Sequence, residues 1–230
     1  MENRLKRVAI VGFCNDSRDM APYEDETIEI WGLNRGYLFQ HRANRWFELH
    51  GQNIVGNQGR RPGKHIEWLS KFPGPVYMHR ADPAIPNSVT YPLAEVAQTI
   101  GGTLWRRNAE GEMEHGILNP YISSSIAFEI ALAIHEEYEE IQLWGIDLNT
   151  DSEYAWQKPG VEHMIGVALG RGIKVVLPDN CPLLKGNLYG RGYLSPEGEK
   201  MSLEILQKRA AALEQQANEV SRQLAEITGA

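Results

Sequence analysis

Short apolar runs that stop at a glycine or a polar residue recur along the chain up to residue 185. The first is Val8-Ala9-Ile10-Val11, which stops at Gly12. A run apolar on both faces predicts a strand buried in a parallel sheet. Further strands are expected over 27–33, ending at Asn34, over 44–49, ending at His50, and over 75–79 after a helix at 65–72. Ile141-Gln142-Leu143-Trp144-Gly145 is another, followed by Ile146-Asp147, a polar loop, a helix and a strand at 172–177 closed by Pro178. That is one βαβ crossover, and it places Asp147 at the carboxyl end of a strand, the edge where open α/β sheets bind ligands. Ile122, Ile126, Ile130 and Ala133 form an apolar stripe at helical spacing and predict a helix over 121–134. Leu93 to Ile100 reads as a helix, 101–116 as a hairpin or a lid, and the Gly-, Asn-, Gln- and Arg-rich 51–63 as a loop.

Past residue 185 the pattern changes. Residues 186–200 are rich in glycine, include Pro196, and read as a linker. Leu203, Leu206, Ala210, Leu213, Ala217, Val220, Leu224 and Ile227 then alternate spacings of three and four, a heptad seam. The expected architecture is a three-layer, Rossmann-like α/β domain over 1–185 with a mostly parallel sheet. A linker over 186–200 and a coiled-coil helix over 201–230 that makes a homo-oligomer complete it.

The formal charge of −7 argues against broad nucleic-acid binding. Arg42, Arg45, Arg60, Arg61, Lys64 and His65 form a local basic cluster, which a solvated face also explains. The two cysteines, Cys14 and Cys181, lack metal-ligand spacing and fit a reduced, cytoplasmic protein. No apolar stretch has the length of a signal peptide core or a membrane span.

Gly12 is not followed by the spaced glycines of a dinucleotide fingerprint, and neither a Walker A nor an HExxH sequence occurs. The candidate chemistry lies at strand ends. Ser123, Ser124 and Ser125 open a helix, where backbone N–H groups and the dipole receive an anion, although ordinary capping also uses serine. Asp147 reads as an acceptor for a ribose or base, or as a carboxylate that holds a divalent cation with Asp151 and Glu153. His50 and His163 are the candidate general bases, since imidazole titrates near neutrality. Trp156, in the loop after Asp147, is a candidate stacking surface.

Taken in order, Val11-Gly12 with its polar loop, a strand ending in Asn34, the Ser123-Ser124-Ser125 start, Gly145-Ile146-Asp147, Tyr154-Ala155 and Pro182-Leu183-Leu184 resemble bacterial sialyltransferases that use CMP-sialic acid. The same order resembles the MptE-like pterin pyrophosphokinase superfamily, and in style the uncharacterised phage-encoded proteins of that Rossmann-like group. The resemblance implies that Gly12, Asn34, Ser123 to Ser125, Gly145 and Asp147 surround a nucleotide, helped by Asn15 and Ser17 of the first loop. It implies that Tyr154 contacts the donor phosphate. Cys14-Asn15-Asp16 replace the family's Gly-Pro-Ser, and Ser125 replaces a glycine. The family's catalytic histidine lies in a longer insertion, and His163 is the histidine in the corresponding region. The implied activity is glycosyl or phosphoryl transfer from a nucleotide or nucleotide-sugar donor, CMP-like donors included, with the need for a divalent metal left open. Arg42 or Arg45 is then a candidate to neutralise the leaving group. A non-catalytic protein that sequesters a nucleotide, and an oligomeric scaffold, are the alternatives.

Overall fold

The computed structural model describes residues 6–50, 64–101, 103–118, 121–148 and 153–185, with Gln207, Ala211 and Glu214. The chain divides into two compact units, Met1–Leu183 and Leu184–Ala230. In the second unit Gln207, Ala211 and Glu214 are helical and exposed. The linker and the heptad seam expected there, Leu203 to Ile227, lie outside the described residues.

The first unit is built on a seven-stranded sheet. Its strands are β1 (Arg7–Val11), β2 (Ile28–Leu33), β3 (Arg45–Phe47), β4 (Val76–Met78), β5 (Ser88–Thr90), β8 (Glu140–Trp144) and β9 (Lys174–Val176). All pairings are parallel, in the order β5-β4-β3-β2-β1-β8-β9. The chain steps outward from β1 to β5, then returns to place β8 on the other side of β1. The connections therefore diverge between β1 and β8, the kind of switch point that opens a crevice at carboxyl strand ends. The separate hairpin β6 (Thr103–Arg107) and β7 (Met113–Leu118) is antiparallel, the hairpin alternative for that segment.

Period-two alternation gives the sheet two apolar faces. Val8, Ile10, Trp31, Leu33, Phe47 and Leu49 pack with residues of α3 (Leu93–Ile100), α4 (Ser125–His135) and α5 (Glu153–Gly170) in the main core. On the opposite face Ala9, Val11, Ile28 and Ile30 meet Ala21 and Tyr23, which follow the short α1 (Asn15–Arg18). Trp46, Val76 and Met78 pack there on Leu69 and Phe72 of α2 (Lys64–Lys71) and its end. These are the three layers expected from the apolar runs.

Several boundaries move. β3 spans only Arg45–Phe47, although Asn44 N–H and Glu48 N–H still donate to the carbonyls of Ile30 (2.7 Å) and Tyr77 (2.9 Å) on its neighbours. β5 was not expected: Ser88-Val89-Thr90 is a polar, largely exposed edge with no apolar run to announce it. The helix expected from 121 begins at Ser125 with Ser124 as its cap. The helix after Asp147 begins at Glu153, so Tyr154 and Trp156 are helical, and Trp156 is 80% exposed.

Arg42 and Arg45 lie at the amino ends of the strands. Arg42 donates to the carbonyls of Tyr23, Asp25 and Ile28. Arg45 opens β3, pairs with Glu29 (2.9 Å) and Glu136 (2.7 Å), donates to Tyr138 Oη (3.1 Å), and lies over the Trp31 ring. Burial raises the Glu29 carboxyl, but Trp31 and Arg45 more than offset it and hold the group below its ordinary range. This knot fastens α4's carboxyl end to the sheet, at the edge away from the carboxyl strand ends.

Candidate functional site

A cavity of about 350 Å³ opens at the carboxyl ends of β1, β2 and β8, within the usual range for small-molecule sites. Its floor is made by two loops zipped together. Gly12 N–H donates to Trp144 O (2.8 Å) and Cys14 N–H to Gly145 O (2.9 Å). The approach requires glycine: a Cβ on Gly12 would stand 2.5 Å from Gly145 O and 2.9 Å from Ile146 Cγ1. Gly145 has φ +65°, and a Cβ there would stand 2.8 Å from Arg18 Cβ.

Asn34 closes one side with φ 50°, in the left-handed region that asparagine tolerates best after glycine. Its N–H donates to Phe47 O (2.9 Å) and its carbonyl accepts from Trp46 Nε1 (3.1 Å), so the backbone is pinned and the side chain is aimed. Its Oδ1 is buried and has no hydrogen-bond partner among the described residues. Leu148, with φ 49°, also lines the cavity. Unusual backbone of this kind gathers where a site over-determines the chain.

The start of α4 forms the opposite side. Ser124 is extended (φ −157°), its Oγ accepts from Ala127 N–H (3.2 Å), and Ser125 and Ile126 follow it along the wall. The first N–H groups of a helix have no intrahelical acceptor, so this wall offers donors and the positive end of the dipole. Asp147 and Tyr154 complete the rim. Cys14 sits beside Asp147, and burial, with that carboxylate next to it, pushes the thiol up.

His50 lines the cavity from the end of β3. Its Nδ1 lies 2.6 Å from Oε1 of Glu48, a carboxylate with 0% exposure. The other oxygen, Oε2, lies 2.7 Å from Nε2 of His65 on α2, also fully buried. His65 Nδ1 is 3.4 Å from Tyr37 Oη, and Tyr37 stacks on both His65 and Trp68. Glu48 was not singled out from the sequence, and His65 was named there only within the basic cluster, yet it is fully buried and on no solvated face. The signal was there in Glu48-Leu49-His50, where strand alternation puts Glu48 and His50 on one face and Leu49 in the main core on the other.

Among the sequence candidates, Gly12, Asn34, Ser124, Ser125, Gly145, Asp147, Tyr154 and His50 line the cavity. Four do not. Asn15 is exposed at the start of α1. Ser17 is buried, but its Oγ accepts from Gly145 N–H (2.9 Å) and ties α1 to the β8 loop; the cap position of α1 is Cys14. Ser123 Oγ donates to Gln157 O (3.1 Å), and Gly160 leaves room for it, so this hydroxyl joins α5 to the start of α4. His163 is exposed and meets the Tyr121 ring edge-on at 5.6 Å. It lies nine residues after Tyr154 (163 − 154), which at about 100° per residue turns it to the opposite side of the helix. Among the described residues no group of three or more His, Cys, Asp and Glu could hold a metal ion, and Asp151 lies outside them. Nor is any helix among them long and apolar enough to cross a membrane.

No protein-family model and no curated protein matches the chain. Solved structures of similar layout include the Campylobacter jejuni sialyltransferase CstII in complex with the substrate analogue CMP-3FNeuAc. It is 14% identical, with a TM-score of 0.48 over 77% of this chain and 81% of that one. CstII with cytidine-5'-monophosphate gives 16% and 0.46, over 86% and 99%. The alpha-2,3-sialyltransferase Cst-I from Campylobacter jejuni gives 12% and 0.48, over 92% and 96%. At such identities, and with TM-scores below 0.5, the likeness identifies neither this chain's ligand nor its reaction.

Proposed function

We propose that the cavity binds a nucleotide-sugar donor and that the protein transfers the sugar to an acceptor hydroxyl. The observation that carries this reading is a convergence. One cavity at the switch point joins an anion-receiving helix start, an aimed asparagine amide, a carboxylate and a histidine backed by a buried carboxylate. The α4 N–H groups and the Tyr154 hydroxyl hold the donor phosphate. Asn34 Oδ1 accepts from the ribose or base, and Asp147 accepts from a ribose hydroxyl. His50 takes the acceptor's proton as the acceptor oxygen bonds the anomeric carbon. The bond from that carbon to the phosphate oxygen breaks, and its electron pair leaves with the nucleotide. The sequence resemblance makes cytidine monophosphate donors the first to try. His50 is preferred to His163 because only His50 lines the cavity. The heptad pattern of 201–230 supports self-association, which sedimentation of the full chain against residues 1–185 would measure.

The test is a thermal-shift panel of CMP, UMP, AMP, GMP and their sugar conjugates, with and without magnesium, followed by an assay for nucleotide release. A ligand at a hundred times its Kd adds about 2.7 kcal/mol. A shift that disappears in Asp147→Ala, with nucleotide released from the conjugate, is the expected result. A shift without release would replace transfer by sequestration. Silence across the panel would remove the nucleotide.

A further inference from the structure

We propose that Glu48 and His65 are positioning residues that hold His50 as the Nδ1–H tautomer, so that Nε2 is the basic atom of the cavity's histidine. Strand β3 ends at Phe47. Glu48 and His50 leave its end on the face covered by α2, while Leu49 turns into the main core. Glu48 is therefore fully buried, and its two oxygens are engaged by two imidazoles at 2.6 and 2.7 Å. A carboxylate only accepts, so each imidazole nitrogen facing it must carry a proton. For His50 that nitrogen is Nδ1. For His65 it is Nε2, and its Nδ1 is left to accept from the Tyr37 hydroxyl at 3.4 Å. The stack of Tyr37 on Trp68 and His65 fixes that ring, and the ring fixes Glu48. Three groups, Tyr37 between β2 and β3, Glu48 just after β3 and His65 on α2, thus specify the tautomer of a fourth. The same carboxylate stabilises the imidazolium that forms when Nε2 accepts a proton, the part a buried aspartate plays beside a catalytic histidine. Among the described residues the remaining titratable groups of the cavity are Cys14, Asp147 and Tyr154, on the loops after β1 and β8 and on α5.

The tautomer claim stands without any substrate; its consequence for rate rests on the proposed transfer. The first experiment is a long-range proton–nitrogen NMR correlation of the imidazoles in the uniformly nitrogen-15-labelled full chain. His50→Gln and His65→Gln assign the signals. The expected spectrum has His50 protonated at Nδ1 and His65 at Nε2 in the neutral state. His50 found in the Nε2–H form that an unconstrained imidazole prefers, or averaging between the two, would overturn the proposal. The second experiment uses CMP-N-acetylneuraminate as donor. Glu48→Gln should lower kcat on the order of 10²-fold or more with KM within about threefold, and Glu48→Asp should recover part of it. A proportionate rise in KM with kcat intact would reduce Glu48 to a structural role. No release of CMP by the wild-type chain would count against that donor, while the NMR result would still decide the tautomer.

Discussion

Glu129 offers a test of the core beneath the cavity. It lies on α4 one turn after Ser125, fully buried, and neither carboxyl oxygen has a hydrogen-bond partner among the described residues. Burial alone pushes its pKa well above the ordinary 4.5. The native state therefore keeps this proton at pH values where the unfolded chain has released it. Stability changes with pH as the protons bound by the unfolded state minus those bound by the native state. That difference is negative here, so Glu129's contribution is fully present below pH 4.5 and is lost as pH rises toward the native pKa. The loss approaches about 1.4 kcal/mol per pH unit. Glu129→Met removes the ionisable group at similar volume. Urea unfolding followed by tryptophan fluorescence, at half-unit steps from about pH 4 to 8, would compare the two proteins. The variant's advantage should be smallest at the acid end and should grow at close to that slope. A wild-type-minus-variant difference that stays flat with pH, or a variant less stable at the alkaline end, would refute the reasoning.

Further outcomes follow from the cavity walls and the knot at the opposite edge. Gly12→Ala should lower stability by about 1–3 kcal/mol and abolish a nucleotide-induced thermal shift, because its Cβ enters the β1–β8 seam. Asn34→Gly and Asn34→Ala should both lose that shift, while in denaturant titration only the alanine variant shows the roughly 1–2 kcal/mol cost of a left-handed backbone. Arg45→Met should destabilise by about 2 kcal/mol, since Glu29 and Glu136 lose their shared cation, yet leave the nucleotide shift intact.

The strands readable in advance, β1 to β4, β8 and β9, each place apolar side chains against the core. β1 is apolar from Val8 to Val11, β2 and β8 are mostly apolar around Glu29 and around Glu140 and Gln142, and a run ending in glycine or asparagine marked where the cavity's floor would be. β5 was unreadable because an exposed edge needs no apolar signature, only a backbone partner in β4. The serines show a second limit. Ser17, Ser123, Ser124 and Ser125 are chemically alike, and their roles separate through details of phase and distance. Ser17 and Ser123 are spent on ties to Gly145 and Gln157, while the other two reach the cavity wall. His163 was misplaced by helical phase. The Glu48–His65 contact was missed because it depends on how α2 settles on β3, a packing event that local sequence does not encode.

The position of β1 has a consequence for how the molecule is made. Arg7 pairs with Ile28 on one side and with Glu140 on the other. As the chain leaves the ribosome, β1 to β5 can assemble while the second edge of β1 still shows unpaired N–H and C=O groups. Such an edge is a template for another chain. It is capped only when β8 arrives, and pairings so distant in sequence are slow to form. The cavity is completed by that same event, since its floor is the β1–β8 seam. A bound ligand would therefore favour the last step of assembly, and refolding yield should rise with ligand and fall with protein concentration.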